Sequence, residues 1–204
     1  FLIVMNDEYK TIETASTGLF KDKGSKFLSY AFPVKNEEEV KEILQNLKKE
    51  HHSARHHCYA WRIGTEEITT RANDDGEPSS TAGKPILGQL QSFDVTNVLL
   101  VVVRYFGGTL LGTSGLINAY KNASIDAINN AKIVSKLIEC EFELNFTYPL
   151  MNTVMQTIKQ ENLEIVTTDF KESCKAWIKT RKTNAHKIEK LFSEIYGVDI
   201  KLQN

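Results

Sequence analysis

The stretch from Asn97 to Ala123 constrains this chain more than any other: N-V-L-L-V-V-V-R-Y-F-G-G-T-L-L-G-T-S-G-L-I-N-A-Y-K-N-A. Six apolar residues in a row, Val98 to Val103, have the length and β-branching of a strand buried on both faces. Arg104, Tyr105 and Phe106 follow, and then four glycines in nine positions: Gly107, Gly108, Gly112 and Gly115. A helix is predicted to begin near Thr113 or Ser114, either of which can cap its first N–H groups. Leu116, Tyr120, Ala123, Ala127 and Ala131 give that helix one apolar stripe. A chain built on this stretch must turn sharply from a buried strand into a helix. That turn leaves backbone N–H groups free to face an anion.

The local chemistry limits what the turn can be. Gly107 to Ser114 has the glycine spacing and closing hydroxyl of a phosphate-binding P-loop, but Thr113 stands at the lysine position. The dinucleotide fingerprint fails as well, because Leu110 occupies the place of its first glycine. Two readings stay open. The glycines allow tight helix–strand packing, or they bring the backbone close to a small anion.

The remaining elements follow from periodicity. The first part reads β-β-β-α-β-β-α-β-α, with strands near 8–14, 18–23, 26–33, 57–63 and 67–72. One helix is predicted at 37–50, capped by Asn36 with Glu39 closing the box, and another near 82–92 with Thr81 as its cap. The last part, 137–204, reads β-α-β-β-α-β, the ferredoxin-like order. The predicted class is therefore α+β, with an N-terminal domain over 1–136 and a ferredoxin-like domain over 137–204.

Composition excludes several classes. Net charge is −1, with 16 basic and 16 acidic residues through Lys136 and 9 and 10 beyond it, so neither part is a polybasic module. The three cysteines, Cys58, Cys140 and Cys174, form no C-x-x-C pair, which fits reduced thiols and a cytoplasmic setting. No apolar run approaches a membrane span, and no membrane partner is expected. Met5 reads as a natural start, with residues 1–4 preceding it.

Candidate site residues fall into two groups. The first joins Arg55 and His56; the loop residues Asp74, Asp75, Glu77, Ser79 and Lys84; Arg104 and Tyr105; and Gly107, Gly108, Gly112, Ser114 and Gly115. The acidic loop reads as a cation site, as an acid–base partner of His56, or as a solvated turn around Asp75-Gly76. These three segments are predicted to meet on one face. The second group is a modest basic run, Lys179, Arg181, Lys182 and Lys187, read either as a nucleic-acid contact or as a solvated face. His52 and His56 have a zinc-like spacing, yet nothing nearby completes a site; no metal and no cofactor are expected.

Four stretches together resemble the IMPACT/YigZ family: F-K-D-K-G-S-K-F-L-S-Y-A-F-P-V (20–34), H-H-S-A-R-H-H-C-Y-A-W (51–61), D-D-G-E-P-S-S-T-A-G-K-P-I-L (74–87) and R-Y-F-G-G-T-L-L-G-T-S-G-L-I-N-A-Y (104–120). Ser114 and Asn118 depart from the glycine and the common arginine of that pattern. The resemblance implies a first domain similar to domain IV of elongation factor G. It also implies a non-catalytic regulatory role in translation, through protein, RNA or ribosome contacts. The alternative is a small-ligand protein or enzyme using the acidic loop, His56 and the glycine turn.

Overall fold

The computed structural model describes residues 7–171 and 173–203. The chain divides into two compact units. One spans Tyr9–Lys136; the other holds the chain from Leu137 onward together with Asp7 and Glu8. Residues 1–4 and Met5 lie outside the described residues.

The first unit runs β1 (Glu8–Ile12), β2 (Ser16–Asp22), β3 (Ser25–Pro33), α1 (Glu37–Glu50), β4 (His56–Ile63), β5 (Thr69–Asn73), α2 (Gly83–Ser92), β6 (Val98–Tyr105), α3 (Gly112–Asn129) and β7 (Ile133–Leu137). Five strands form one sheet in the order β2-β3-β6-β4-β5, every neighbour antiparallel, while β1 pairs with β7 in a separate ribbon. As its sequence demands, β6 is central, and Val98 to Val103 are all 0% exposed. Its residues alternate between two cores. Leu99, Val101 and Val103 pack with Val40 and Leu47 of α1, and Val98, Leu100 and Val102 pack with Ile86 and Leu90 of α2 and with Leu116, Ala119, Tyr120 and Ala123 of α3. The sheet is thus sandwiched between helices on both faces.

Local signals explain most boundaries. Asn36 accepts from the Glu39 N–H at 2.9 Å, and the Glu39 carboxylate accepts from the Lys35 N–H at 2.8 Å. Two predicted caps are corrected. Thr81 does not cap α2: its hydroxyl donates to the Pro78 carbonyl at 2.6 Å, and the α2 amides of Ala82 and Gly83 donate instead to the Asp74 carboxylate at 3.0 and 2.8 Å. Neither Thr113 nor Ser114 caps α3, which begins at Gly112 behind Leu111 with no side-chain cap. β7 was not anticipated. Its residues are almost all exposed, so they carry no burial period to read.

The second unit runs β8 (Glu139–Phe146), α4 (Met151–Gln160), β9 (Glu164–Phe170), β10 (Cys174–Arg181), α5 (Ala185–Ser193) and β11 (Asp199–Gln203). Its sheet order is β11-β8-β10-β9, antiparallel throughout, the ferredoxin-like arrangement. Phe142, Leu144, Phe146, Ala176 and Ile178 form one sheet face against Val154, Ile158, Ile188 and Phe192 of the helices. No helix among the described residues is long and apolar enough to cross a membrane.

Candidate functional site

At one end of the first unit's sheet, His56 of β4 sits directly opposite Arg104 of β6, and Phe27 of β3 opposes Arg104 on the other side. Period-2 alternation sends these three toward the α2/α3 layer, as it sends Cys58 and Ala60. His57, Tyr59 and Trp61 turn to the α1 layer.

The acidic loop is knotted by its own carboxylates. Asp75 and Gly76 both have positive φ (41° and 87°), and the Glu77 N–H closes the turn on the Asp74 carbonyl at 2.9 Å. Beyond the two helix amides, Asp74 accepts from the Ser80 N–H at 2.8 Å. Asp75 accepts from the His57 N–H at 2.7 Å and lies 3.6 Å from the Lys48 ammonium. Glu77 is buried, taking the Arg104 Nη1–H at 2.6 Å and the Tyr120 hydroxyl at 2.8 Å on one oxygen. Each carboxylate already has partners, and no group of three or more His, Cys, Asp or Glu among the described residues could hold a metal. These bonds give the loop carboxylates structural roles.

The Glu77 network reaches deeper. Cys58 Sγ lies 3.3 Å from the Tyr120 hydroxyl and 3.0 Å from the Asp74 carbonyl. Burial pushes both the Cys58 thiol and the Tyr120 phenol well above their ordinary pKa values. Cys58 is thus a protonated, inert thiol at neutral pH. The Arg104 guanidinium is held between two rings, 5.5 Å from the Phe27 centroid and 5.6 Å from that of Phe106.

Above this network lies a cavity of about 470 Å³, within the usual range of ligand sites. Arg55, His56, Glu77, Arg104 and the first α3 residues Gly112 and Thr113 supply its polar wall. Pro78, Phe106, Leu110, Leu111 and Leu116 supply the apolar one. His56 Nδ1 donates to the Asp75 carbonyl at 2.9 Å, which fixes the ring and leaves Nε2 without a protein partner among the described residues. Gly108 and Gly112 adopt φ of 88° and 70°, and a Cβ at either would meet nothing. Positive φ, not crowding, demands glycine there. Gly107 is different: a Cβ there would strike the backbone of Gly24 and Ser25, so this glycine serves packing.

Of the residues singled out in sequence, Arg55, His56, Glu77, Arg104 and Gly112 line this cavity; Asp74, Asp75, Ser79, Lys84, Gly107, Gly108, Ser114 and Gly115 do not. Tyr105 belongs to the opposite face, its hydroxyl 2.9 Å from His51 Nδ1. The apolar wall and the Tyr120–Cys58 support went unread in sequence. Tyr120 carried a weak signal, a hydroxyl on an otherwise apolar stripe. In the second unit, Lys179 stands opposite Glu141 and Glu164, and Arg181 opposite Glu139 and 3.7 Å from Asp7. Lys187 pairs with Glu161 at 2.5 Å, and Lys182 starts the turn before α5. Lys179 and Arg181 thus face carboxylates across their sheet, and Lys187 meets one from α5.

The Impact N-terminal domain model matches residues 23–128, which hold the whole cavity wall. An "IMPACT family member" of Haemophilus influenzae is 37% identical over 150 residues (72% of this chain, 73% of the relative). "IMPACT family member YvyE" of Bacillus subtilis is 30% identical over 183 residues (89% and 84%). A crystal structure of a hypothetical protein, 28% identical, covers 96% of each chain with a TM-score of 0.71. The chain belongs to the IMPACT family.

Proposed function

We propose that this chain is a non-catalytic regulatory binding protein of translational control, and that the cavity face of its first domain contacts an anionic group on its partner. One observation carries the reading. Arg55, His56, Arg104 and the uncapped start of α3, drawn from three separate segments, line one concavity. The first-turn N–H groups of a helix lack intrahelical partners and carry about half a positive charge. Glu77 is consumed by Arg104 and Tyr120, so Arg55 and the helix terminus set the sign of the mouth. The translational setting rests on family membership, and RNA, ribosome and protein remain the classes of partner in view. Binding rather than catalysis is favoured because Cys58 is a buried, protonated thiol and Ser79 lies off the cavity.

Amide NMR tests this directly. Inorganic phosphate, and separately a short RNA, should shift the amides of Gly107–Leu116 at low salt, with the effect fading as salt is added. Unmoved amides would reduce the turn to a packing device. A second reading, a small-ligand protein or enzyme, is favoured by the concave shape and by the unpartnered His56 Nε2. Stronger shifts with ATP than with RNA, accompanied by hydrolysis, would make it the better one.

A further inference from the structure

We infer that the cavity is selective for a compact, singly seated oxyanion carried on an apolar body, gripped by the Nε–Nη2 edge of Arg104. This rests on the anion reading above and narrows it. Arg104 is buried, with a side chain only 7% exposed. Among the described residues, its guanidinium donates through Nη1 alone, to Glu77. Nε is buried with no acceptor at all. A guanidinium donates only in its own plane, and Nη1 has spent one side of that plane on Glu77. The remaining side, Nε with Nη2, is the fork that matches two oxygens of a carboxylate or phosphate. An orphaned buried donor is unusual in a folded protein and calls for a partner.

Reaching that edge requires Phe106 to move aside. Phe106 covers the guanidinium but is 48% exposed, and it leads into Gly107 and Gly108, the latter in open space. Leu110, 83% exposed, stands at the rim beside it. A ligand that displaces the Phe106 edge reaches Arg104 with its anion and meets Phe106, Leu110, Leu111 and Leu116 with its body. Polyphosphates are disfavoured: Thr113 replaces the P-loop lysine, and Glu77 cancels the charge of Arg104. Carboxylate and phosphate monoester share the required chemistry.

The test compares inorganic phosphate, phenyl phosphate, benzoate, acetate and ATP by NMR on the whole chain, reading the Arg104 Nε–H resonance beside the Gly107–Leu116 amides. Phenyl phosphate should bind at least about tenfold tighter than inorganic phosphate, and benzoate than acetate, the factor expected for burying one ring face. Whichever aromatic probe binds more tightly names the source of the oxyanion. The Arg104 Nε–H should move with either. Leu110→Ala should lower the affinity for phenyl phosphate and benzoate by a larger factor than that for inorganic phosphate and acetate, and Arg104→Lys should lose two-oxygen binding while keeping its charge. Should Arg104→Lys fail to fold, Leu110→Ala and the Nε–H signal decide alone. Equal affinity for phosphate and phenyl phosphate, an unmoved Nε–H, or tighter binding of ATP overturns the inference and leaves the anion reading standing. Silence of the Gly107–Leu116 amides toward every probe overturns both.

Discussion

The two faces of the sheet at the end of β6 solve the same problem with different chemistry. Toward α2 and α3, the polar cluster is Arg104, Glu77, Tyr120 and Cys58, tied by bonds of 2.6 and 2.8 Å at Glu77. Toward α1, it is His51, His57, Tyr30 and Tyr105: His51 lies 2.7 Å from the Tyr30 hydroxyl through Nε2 and 2.9 Å from that of Tyr105 through Nδ1. The first cluster is built on a buried ion pair. The second holds His57, whose pKa burial lowers, beside a hydrogen-bonded His51 and two tyrosines. One face is therefore sensitive to removal of a partner, the other to the proton concentration.

The largest effect expected follows from the first face. Glu77→Ala strands a buried guanidinium and should cost about 3–5 kcal/mol, read as a lowered denaturation midpoint. A loss near zero would mean that Arg104 escapes to solvent and that the face is no fixed scaffold. Tyr120→Phe removes one hydrogen bond to a charged acceptor and should cost about 1.5–3 kcal/mol by the same measurement.

The α1 face should respond to acid instead. Burial lowers the His57 pKa below its ordinary value, and the nearby Lys48 and His51 add to that, while Asp75 opposes it. A histidine whose folded pKa is depressed binds fewer protons folded than unfolded. Its contribution is complete above about 6.5, the unfolded pKa, and is lost as pH falls through the folded value. Denaturation midpoints should therefore drop on acidification from pH 7 to 5, and His57→Gln should flatten that slope; an unchanged slope would assign the acid sensitivity elsewhere. The smallest effect belongs to the second unit. Lys187→Ala removes an exposed pair with Glu161 and should change stability by less than about 1 kcal/mol.

The contrast also explains what could be read in advance. β6, α1 with its Asn36 cap, the alternation of His57, Tyr59 and Trp61, and the β-α-β-β-α-β order of the second unit all follow from short-range periods or capping spacings. Such signals sit inside one element. The Glu77–Arg104 and Glu77–Tyr120 bonds join residues 27 and 43 positions apart, and no period links them. Asp74 was readable as a turn acid but not as the cap of α2, because the turn folds it back over eight and nine residues to reach those amides. The apolar cavity wall stayed hidden for another reason: Phe106, Leu110 and Leu111 look like loop residues until the turn gathers them.

The ribbon of β1 and β7 bears on how the chain is made. During synthesis, β1 precedes the other strands of its unit, yet its partner strand is almost the last piece of that unit to appear. The Glu13 N–H waits for the Lys132 carbonyl, while the Thr96 N–H already reaches the Lys10 carbonyl. Everything between can condense around β6, but closure must follow the release of Ile133–Leu137. A nascent chain stalled before that point would hold β1 at Lys10 but lack β7 beside it, leaving an edge open to mispairing with a neighbour.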